Sequence, residues 1–172
     1  MAESGLDVIE ETNVLKWIRP PMYGAPPPAR GGHASISTGN LVLTVGGTFY
    51  GGDNRFEYLN DVWALNVDAN KWQKLKCTGK SQPGPRYGHA IALVGTYLYL
   101  FGGKGEAGII YNDLWRLDME NSSWELMQSS SAAPPNPRFG HSMIAAEDAL
   151  VVFGGWEGKT ADNQVWLFDL ST

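Results

Sequence analysis

The stretch PRYGHAIALVGTYLYLFGG, Pro85 to Gly103, decides the fold, because the chain contains it three times. A second copy is PRFGHSMIAAEDALVVFGG, Pro137 to Gly155, and a third is ARGGHASISTGNLVLTVGG, Ala29 to Gly47. Each copy carries apolar, β-branched and aromatic runs between turn residues. This pattern is typical of two short strands joined by a tight hairpin.

Landmark residues recur at matching distances in the three copies. The equivalent histidines are 56 and 52 residues apart, and the diglycines keep the same two separations. A period near ~50 residues, built only from strand-like segments, predicts a propeller or a solenoid. The repeated positions, which we expect to be structural, are Arg30, Arg86, Arg138, His33, His89, His141, Gly46, Gly47, Gly102, Gly103, Gly154, Gly155, Trp63, Trp115, Trp166, Trp17, Trp72 and Trp124.

Each unit is predicted to form four short strands and no helix. In the second unit the strands are expected near Gly88–Val94, Tyr97–Gly102, Asn112–Asp118 and Ser123–Gln128. Apolar residues occupy both faces of the first two strands, as expected for a sheet that lies between two neighbouring sheets. The diglycine is placed where the second strand must end sharply, since glycine tolerates positive φ.

These residues resemble the kelch repeat, in the variant that begins Pro-Arg-aromatic-Gly-His and continues with a diglycine and two spaced tryptophans. The resemblance covers about Trp17 to Leu170 and implies a β-propeller whose blades are four-stranded antiparallel sheets. We therefore expect an all-β, kelch-type propeller segment over residues 1–172. Its expected parts are an N-terminal tail with an orphan fourth strand in 1–27, blades in 28–79 and 80–133, and a third blade in 134–172 that lacks its fourth strand.

The segment NVLKWIRP, residues 13–20, predicts the orphan strand. Trp17 precedes Arg30 by thirteen residues, and Trp72 and Trp124 precede the next repeat arginines by fourteen. Propellers typically close with 4–8 blades, so three blades predict half of a six-blade ring. In the interpretation that we favour, a longer chain supplies the other blades. In the alternative, two copies form the ring as a homodimer, and each gives its first strand to the other's last blade.

Composition excludes several classes of protein. The net charge of -5 and the absence of Lys/Arg runs argue against nucleic-acid partners and a polybasic membrane patch. Hydrophobic residues make up 43% of the chain, but no run is long enough to span a membrane. One cysteine, Cys77, excludes an internal disulfide and fits a reducing compartment, and the N-terminus does not resemble a signal peptide. We expect a soluble cytoplasmic protein, with a nuclear location as the open alternative.

The histidines and arginines invite a chemical interpretation. Zinc requires nitrogens converging within about 2.1 Å of the ion, whereas equivalent positions on successive blades stay apart. We therefore expect structural histidines bonded to backbone, no metal site, no cofactor and no catalytic residue. The arginines are expected to pair with carboxylates, Asp61 and Asp113 in the first two units, and a ligand contact remains the alternative. The third unit has Gln164 at that position, so its arginine lacks a pair or uses another acceptor.

Functional residues are expected where the copies differ, in the segments between the second and third strands. Loops on a rigid scaffold usually carry binding residues, and aromatic and cationic side chains are typical of protein-binding hot spots. The candidates are Tyr50, Arg55, Phe56, Lys104, Tyr111, Trp156 and Lys159.

The predicted function is a non-catalytic protein-interaction scaffold that binds an acidic or polar segment of a protein partner through one loop face. A basic partner is the competing possibility, with contacts to Asp53, Glu57, Glu106 and Glu157. The alternatives of another class are a metal-dependent enzyme or specifier protein with a site at the propeller mouth, and a structural fragment of a larger kelch protein.

Overall fold

A computed structural model describes residues 15–52, 55–129 and 134–171 of the chain. Residues 1–14 of the predicted N-terminal tail and orphan strand, residues 130–133 of the predicted second blade, and the candidate Asp53 lie outside these ranges. Within the described ranges the regular structure is antiparallel β-strand, apart from one 3₁₀ turn, Glu106–Gly108. The predicted all-β fold is therefore confirmed. The strands are β1 (Ala34–Thr38), β2 (Leu41–Tyr50), β3 (Phe56–Asn66), β4 (Lys71–Lys74), β5 (Ala90–Val94), β6 (Tyr97–Phe101), β7 (Leu114–Asp118), β8 (Ser123–Met127), β9 (Ser142–Ala146), β10 (Ala149–Phe153) and β11 (Val165–Asp169).

The strands form three separate sheets, which we call blades 1, 2 and 3. Blade 1 has the order β1-β2-β3-β4, blade 2 the order β5-β6-β7-β8, and blade 3 the order β9-β10-β11. Every neighbouring pair is antiparallel. In blade 2 each observed strand begins and ends within two residues of its predicted bounds. Blade 3 has three strands among the described residues, as the sequence predicts.

The blades stack face to face through apolar side chains. Leu43 and Val45 of blade 1 pack with Leu98, Leu100 and Leu117 of blade 2 in one buried cluster. The opposite face of blade 2 packs on blade 3 in a second cluster, which contains Ala92, Tyr99, Phe101, Leu114, Met143, Leu150 and Val152. Blade 2 is therefore covered on both faces, which explains why its strands are apolar throughout.

Backbone hydrogen bonds join each blade to the next. The Gly88 amide donates to the Gly32 carbonyl at 2.8 Å, and the Gly140 amide donates to the Gly88 carbonyl at 2.7 Å. The second glycine of the first two diglycines adds to this, because the amides of Gly47 and Gly103 donate to the carbonyls of the next repeat arginines, Arg86 and Arg138, at 2.9 and 2.8 Å. The spacing of the blades is thus set by main chain as well as by the apolar clusters.

The diglycine of blade 2 shows why glycine occupies this position. Gly102 has φ of +63°, and a Cβ there would lie 2.6 Å from the Arg138 carbonyl oxygen and 2.8 Å from Cε1 of His141. A Cβ on Gly103 would lie 2.9 Å from Cβ of His89 in its own blade. The two glycines therefore form a slot between histidines of successive blades.

Blade 1 departs from the predicted end of the second strand. There β2 continues through Gly46 and Gly47 to Tyr50, with a register shift between Val45 and Gly47, and pairs with an equally long β3. The prediction was wrong for this copy, because the glycines accommodate a bulge that lets the ladder resume. Tyr50 and Phe56 consequently lie on strands of an extended hairpin and not in a loop.

The predicted orphan strand is not formed within the described chain. Residues 15–22 belong to no strand, and the Trp17 side chain is fully exposed. Since the orphan strand is expected to complete a blade of a longer chain or of a second copy, its role stays a prediction. Trp63, Trp115 and Trp124 are buried, and Trp72 and Trp166 are half-buried.

Candidate partner-binding face

The repeat arginines of blades 1 and 2 are anchored by carboxylates of their own blade. Nη2 of Arg86 donates to Oδ2 of Asp113 at 2.9 Å, and Nη2 of Arg30 donates to Oδ2 of Asp61 at 3.2 Å. The same aspartates accept the indole N–H of the following tryptophan, at 2.7 Å in both blades. Burial alone would raise the pKa of Asp61, but the hydrogen bonds from Arg30 and Trp63 outweigh it and lower the pKa. These arginines hold the blade together and leave little of the guanidinium for a ligand.

In blade 3 the repeat arginine binds two carboxylates. The fully buried Arg138 donates from Nη1 to Asp162 and from Nη2 to Glu157, both at 2.8 Å. The expectation of another acceptor in place of Gln164 is met by these two residues. The hydrogen bond from Arg138 lowers the pKa of Asp162.

The repeat histidines differ in environment. His89 and His141 are buried, whereas His33 is exposed. Burial, reinforced by the charge of Arg86, lowers the pKa of His89 to about 3, and burial with Arg138 lowers that of His141 to about 4. The Val45 and Phe101 backbones partly oppose these shifts, but none of the four ring nitrogens forms a well-aligned hydrogen bond among the described residues. The expected histidine–backbone bond is therefore replaced by packing of a neutral ring in the diglycine slot.

A groove of about 630 Å³ lies between the β2–β3 hairpin of blade 1 and the 3₁₀ turn of blade 2. It brings together three of the predicted binding residues, Arg55, Phe56 and Tyr111. The other lining residues are Gly51, Glu57, Tyr58, Pro85, Glu106 and Ile109. The predicted candidates of two different blades thus share one concave surface.

The remaining candidates lie beside the groove or apart from it. The rings of Tyr50 and Phe56 meet edge to face at 5.5 Å between centroids. Lys104 is half-buried, with its Nζ 5.3 Å from the centroid of the Phe139 ring. Trp156 and Lys159 are exposed on blade 3 and do not line the groove.

Tyr111 has a packing role in addition to lining the groove. The Arg86 guanidinium lies 3.8 Å from the centroid of its ring. A Cβ on Gly84 or Gly105 would come within 3.0 and 2.8 Å of the Tyr111 hydroxyl. Tyr111 is therefore a fixed wall of the groove and a cover for the buried ion pair.

A row of aromatic residues, which was not predicted from the sequence, continues from the groove across the blades. Tyr58 and Tyr87 have ring centroids 5.9 Å apart, and Tyr87 and Phe139 have centroids 6.1 Å apart. Tyr87 and Phe139 occupy the aromatic position of the Arg-aromatic-Gly-His motif, so the repeat made them look purely structural. The sequence feature that could have indicated this row is Gly31: the first copy has a glycine at the position where the other two copies have an aromatic residue, so the repeat does not require an aromatic side chain there.

The charges in the groove are predominantly acidic. Glu57 and Glu106 line it together with Arg55, and no ion pair joins any of these three to another described residue. Glu157, another carboxylate considered for a basic partner, is instead occupied by Arg138 and by the Asn136 amide. The groove thus combines apolar walls with two available carboxylates.

Two other kinds of site have no residues to support them in the described ranges. No three His, Cys, Asp or Glu side chains there are grouped closely enough to hold a metal ion. Nor does this part of the chain contain a helix of the length and apolarity needed to cross a membrane.

Comparison with known proteins identifies the repeat. The KLHDC2/KLHL20/DRC7 Kelch-repeats domain matches residues 6–103 and, in an overlapping second match, residues 48–172. Similar proteins include Tip elongation aberrant protein 1 of Schizosaccharomyces pombe, 36% identical over 84% of this chain and 13% of that protein. Kelch repeat-containing protein 2 of Saccharomyces cerevisiae is 34% identical over 83% of this chain and 17% of its own length. Host cell factor of Drosophila melanogaster is 33% identical over 90% and 11%, respectively. The chain therefore spans less than a fifth of each of these three relatives.

Proposed function

Because the chain belongs to the kelch-repeat family, we propose that it binds a protein partner through the groove between blades 1 and 2 and the aromatic row beside it. Family membership supports an interaction role in general. The observation that carries the specific proposal is the convergence of Arg55, Phe56 and Tyr111, from two blades, on one groove. Loops and hairpins on a rigid β scaffold are the usual position for such contacts.

The walls of the groove suit an apolar anchor in the partner. Phe56 and Ile109 are 61% and 53% exposed, so both have surface to bury. Phe56 is supported from behind by Tyr50, and Tyr111 by Arg86. Aromatic side chains held in place by their neighbours lose little entropy on binding and are typical hot spots.

The charge of the groove favours the basic partner over the acidic one. Arg55 is outnumbered by Glu57 and Glu106, and Lys104 is already engaged with the Phe139 ring. We propose a partner segment with an apolar side chain next to a lysine or arginine. The attraction between opposite charges at a partly exposed site speeds association, and this attraction weakens as salt is added.

The proposal is tested by substitution in the groove. Partners retained by the purified chain are identified first, and the affinity of each purified partner is then measured by calorimetry. Phe56→Ala should lower affinity by at least about tenfold, as expected for a hot-spot residue. Leu126→Ala, a partly exposed apolar residue of β8 outside the groove, is the control and should leave affinity unchanged.

The preference of the groove for a basic segment is tested separately. Glu57→Gln with Glu106→Gln should reduce affinity for a basic segment several-fold and flatten its salt dependence. Glu147→Gln, an exposed turn residue of blade 3, is the matched control. If an acidic partner bound instead, the Glu57 and Glu106 substitutions would strengthen binding, and the basic assignment would be wrong. Unchanged affinity in Phe56→Ala would exclude the groove itself.

Three further predictions remain proposals. A metal-dependent role would need a set of metal ligands, and none is grouped among residues 15–52, 55–129 and 134–171; metal analysis of the purified protein tests this alternative. Cytoplasmic location remains a prediction from composition. A homodimer is a separate proposal, since it depends on the edge of blade 3 and not on the groove.

A further inference from the structure

Blade 3 presents an unpaired strand edge beside an apolar cavity. In blades 1 and 2 the third strand pairs with a fourth, whereas β11 has only β10 as a neighbour. A cavity of about 220 Å³ lies along β11, between blades 2 and 3. Its lining includes Phe101, Met127, Met143, Trp166 and Phe168. An exposed edge of this kind is a template for an added strand.

The position of the cavity matches that of a tryptophan in blade 2. Trp124 of β8 is buried in the cluster between blades 1 and 2, where Leu75 and Cys77 pack against it. The equivalents of Leu75 and Cys77 one blade later are Met127 and Ser129, and both line the cavity. The cavity is therefore the space that a fourth-strand tryptophan of blade 3 would fill.

The N-terminal segment follows the course of a chain that has just left a fourth strand. Tyr23 makes a parallel bridge to Lys71 of blade 1, as Thr78 does to Ser123 of blade 2. A Cβ on the next residue, Gly24 or Gly79, would lie 2.6 or 2.5 Å from the carbonyl oxygen of the fourth-strand tryptophan that follows. Trp17 precedes Tyr23 by six residues, and Trp72 precedes Thr78 by the same number. Trp17 therefore stands where a fourth-strand tryptophan belongs.

The register of blades 1 and 2 predicts which residues would face each other. Leu65 pairs with Trp72 in blade 1, and Leu117 with Trp124 in blade 2. The equivalent alignment places Trp17 opposite Phe168. It then places Ile18 opposite Leu167, Lys16 opposite Asp169, and Arg19 opposite Trp166.

The aligned residues are chemically matched. Ile18 and Leu167 are 75% and 69% exposed, and pairing would cover both. At the same position blade 2 has an ion pair, Arg116 with Glu125 at 2.6 Å. Both members of the pair therefore differ together: blade 2 has two opposite charges at this position, and the proposed pair of Ile18 and Leu167 has two apolar side chains. Arg19 would take the place of Lys74, whose Nζ lies 5.8 Å from the centroid of the Trp63 ring; cations favour such ring faces.

We propose that the Trp17 segment of one copy of this chain adds to β11 of a second copy as its fourth strand, with Trp17 in the cavity, and that the exchange is reciprocal. We assign the segment to a second copy because, among the described residues, it is docked on blade 1 through the Tyr23–Lys71 bridge, and blade 2 separates blade 1 from blade 3. The same association places the open face of blade 3 against the open face of blade 1. On blade 3 this face is apolar: Ile144, Phe153, Val165 and Leu167 are all more than half exposed.

The diglycine slots support the same arrangement. Gly46 receives His89 of the next blade, and Gly102 receives His141. Gly154 has room for a histidine, since the one atom within 4 Å of a Cβ there is the Asp162 carbonyl oxygen at 3.3 Å. His33 is the exposed histidine of the repeat. A reciprocal dimer fills each empty slot with the His33 of the partner copy.

The first test is the mass of the 172-residue chain in solution, measured by light scattering during size-exclusion chromatography at about 100 µM. The expected mass is twice 18.8 kDa. Trp17→Ala should return the mass to that of one chain, with an unchanged circular dichroism spectrum, because Trp17 makes no contact that folds its own chain. Leu126→Ala, a partly exposed apolar residue of β8 away from β11 and its cavity, is the control and should leave the dimer intact. A wild-type monomer, or a dimer that survives Trp17→Ala, would overturn the proposal.

The register is tested by cross-linking in a Cys77→Ser background. Cysteines introduced as Ile18→Cys with Leu167→Cys should give a disulfide-linked dimer on a non-reducing gel. Ile18→Cys with Phe168→Cys is the matched control, because neighbouring strand residues point to opposite faces. Equal cross-linking of both pairs would contradict the aligned strand. These outcomes are independent of partner binding at the groove, which involves different residues.

Discussion

Blades 2 and 3 carry equivalent residues in different surroundings. Ala92 and Phe101 of blade 2 are 1% and 5% exposed, while their equivalents in blade 3, Ile144 and Phe153, are 61% and 51% exposed. Blade 2 lies between two neighbours, whereas one face of blade 3 is open. Residue type does not explain the difference, since phenylalanine stands in both places. The neighbouring blade decides whether a side chain is core or surface.

This contrast is the behaviour expected of a repeat protein, in which stability is approximately the sum of intrinsic repeat terms and nearest-neighbour interfaces. Blade 2 contributes to two interfaces, and blade 3 to one. The open face of blade 3 also groups its exposed apolar residues in one patch, which is unusual for a surface without a partner. Substitution of equivalent residues in the two blades should therefore change stability by different amounts.

The largest difference is expected between Phe101→Ala and Phe153→Ala. Phe101→Ala removes a ring from a closed interface and should lower the free energy of unfolding by about 3–5 kcal/mol. Phe153→Ala should cost under about 1 kcal/mol, since half of its ring is already in water. Urea unfolding of both variants, at a concentration at which the chain is monomeric, measures the two losses. Equal losses would show that the blades do not differ in the way that their burial indicates.

The cost of Phe153→Ala should also depend on protein concentration. If a second copy covers the open face, the cost of Phe153→Ala should rise as the chain associates, because stability then includes the dimer interface. The cost of Phe101→Ala should not depend on concentration in the same way. A concentration-independent difference would indicate that blade 3 keeps its face open.

The next difference is expected between Gly102→Ala and Gly154→Ala. Both glycines have φ near +65°, so both alanines are strained by about 1–2 kcal/mol. Gly102→Ala would also force a Cβ against the Arg138 carbonyl oxygen at 2.6 Å, whereas the slot at Gly154 is open. Gly102→Ala should therefore lower the free energy of unfolding by about 1–3 kcal/mol more than Gly154→Ala. Thermal unfolding of the matched pair checks this, and similar melting temperatures would mean that the backbone moves to relieve the clash.

Much of this architecture could be predicted from the sequence, because it depends on spacing. The period placed the strands, and the repeat pattern after Arg138 indicated three strands within residues 134–171. The repeat arginines implied carboxylate partners, and Asp61 and Asp113 were identified because each stands two residues before a repeat tryptophan. Such features recur in every copy, so comparing the copies is enough to find them.

What could not be predicted depends on contacts between copies or on a departure from the repeat. The extension of β2 to Tyr50 required a bulge at Gly46, and nothing in the diglycine distinguishes a strand end from a bulge. Glu157 was considered for partner contact, but it accepts a hydrogen bond from Arg138 in the blade that has Gln164 in place of the aspartate. The aromatic row through Tyr87 was hidden because repetition itself looked like a structural cause.

The last effect concerns the pH dependence of stability and again follows burial. His89 and His141 are neutral in the fold, with pKa values lowered to about 3 and about 4, while an unfolded histidine titrates near 6.5. Between these values the unfolded chain binds more protons than the folded chain, so stability falls as pH falls below about 6.5. At pH 5 each buried histidine should cost about 2 kcal/mol relative to pH 8. Urea unfolding across this range measures the slope, which His141→Gln should reduce.

His89→Gln should reduce the slope as His141→Gln does, because both rings lie in diglycine slots between successive blades. The carboxylates held by arginines, such as Asp61, lose their contribution only below the ordinary carboxyl pKa, so their effect falls in a lower pH window. A slope between pH 6.5 and 5 that survived both His89→Gln and His141→Gln would therefore contradict the assignment. The histidine slot, filled between blades 1 and 2 and between blades 2 and 3 but open at Gly154, would then not be the acid-sensitive element of this fold.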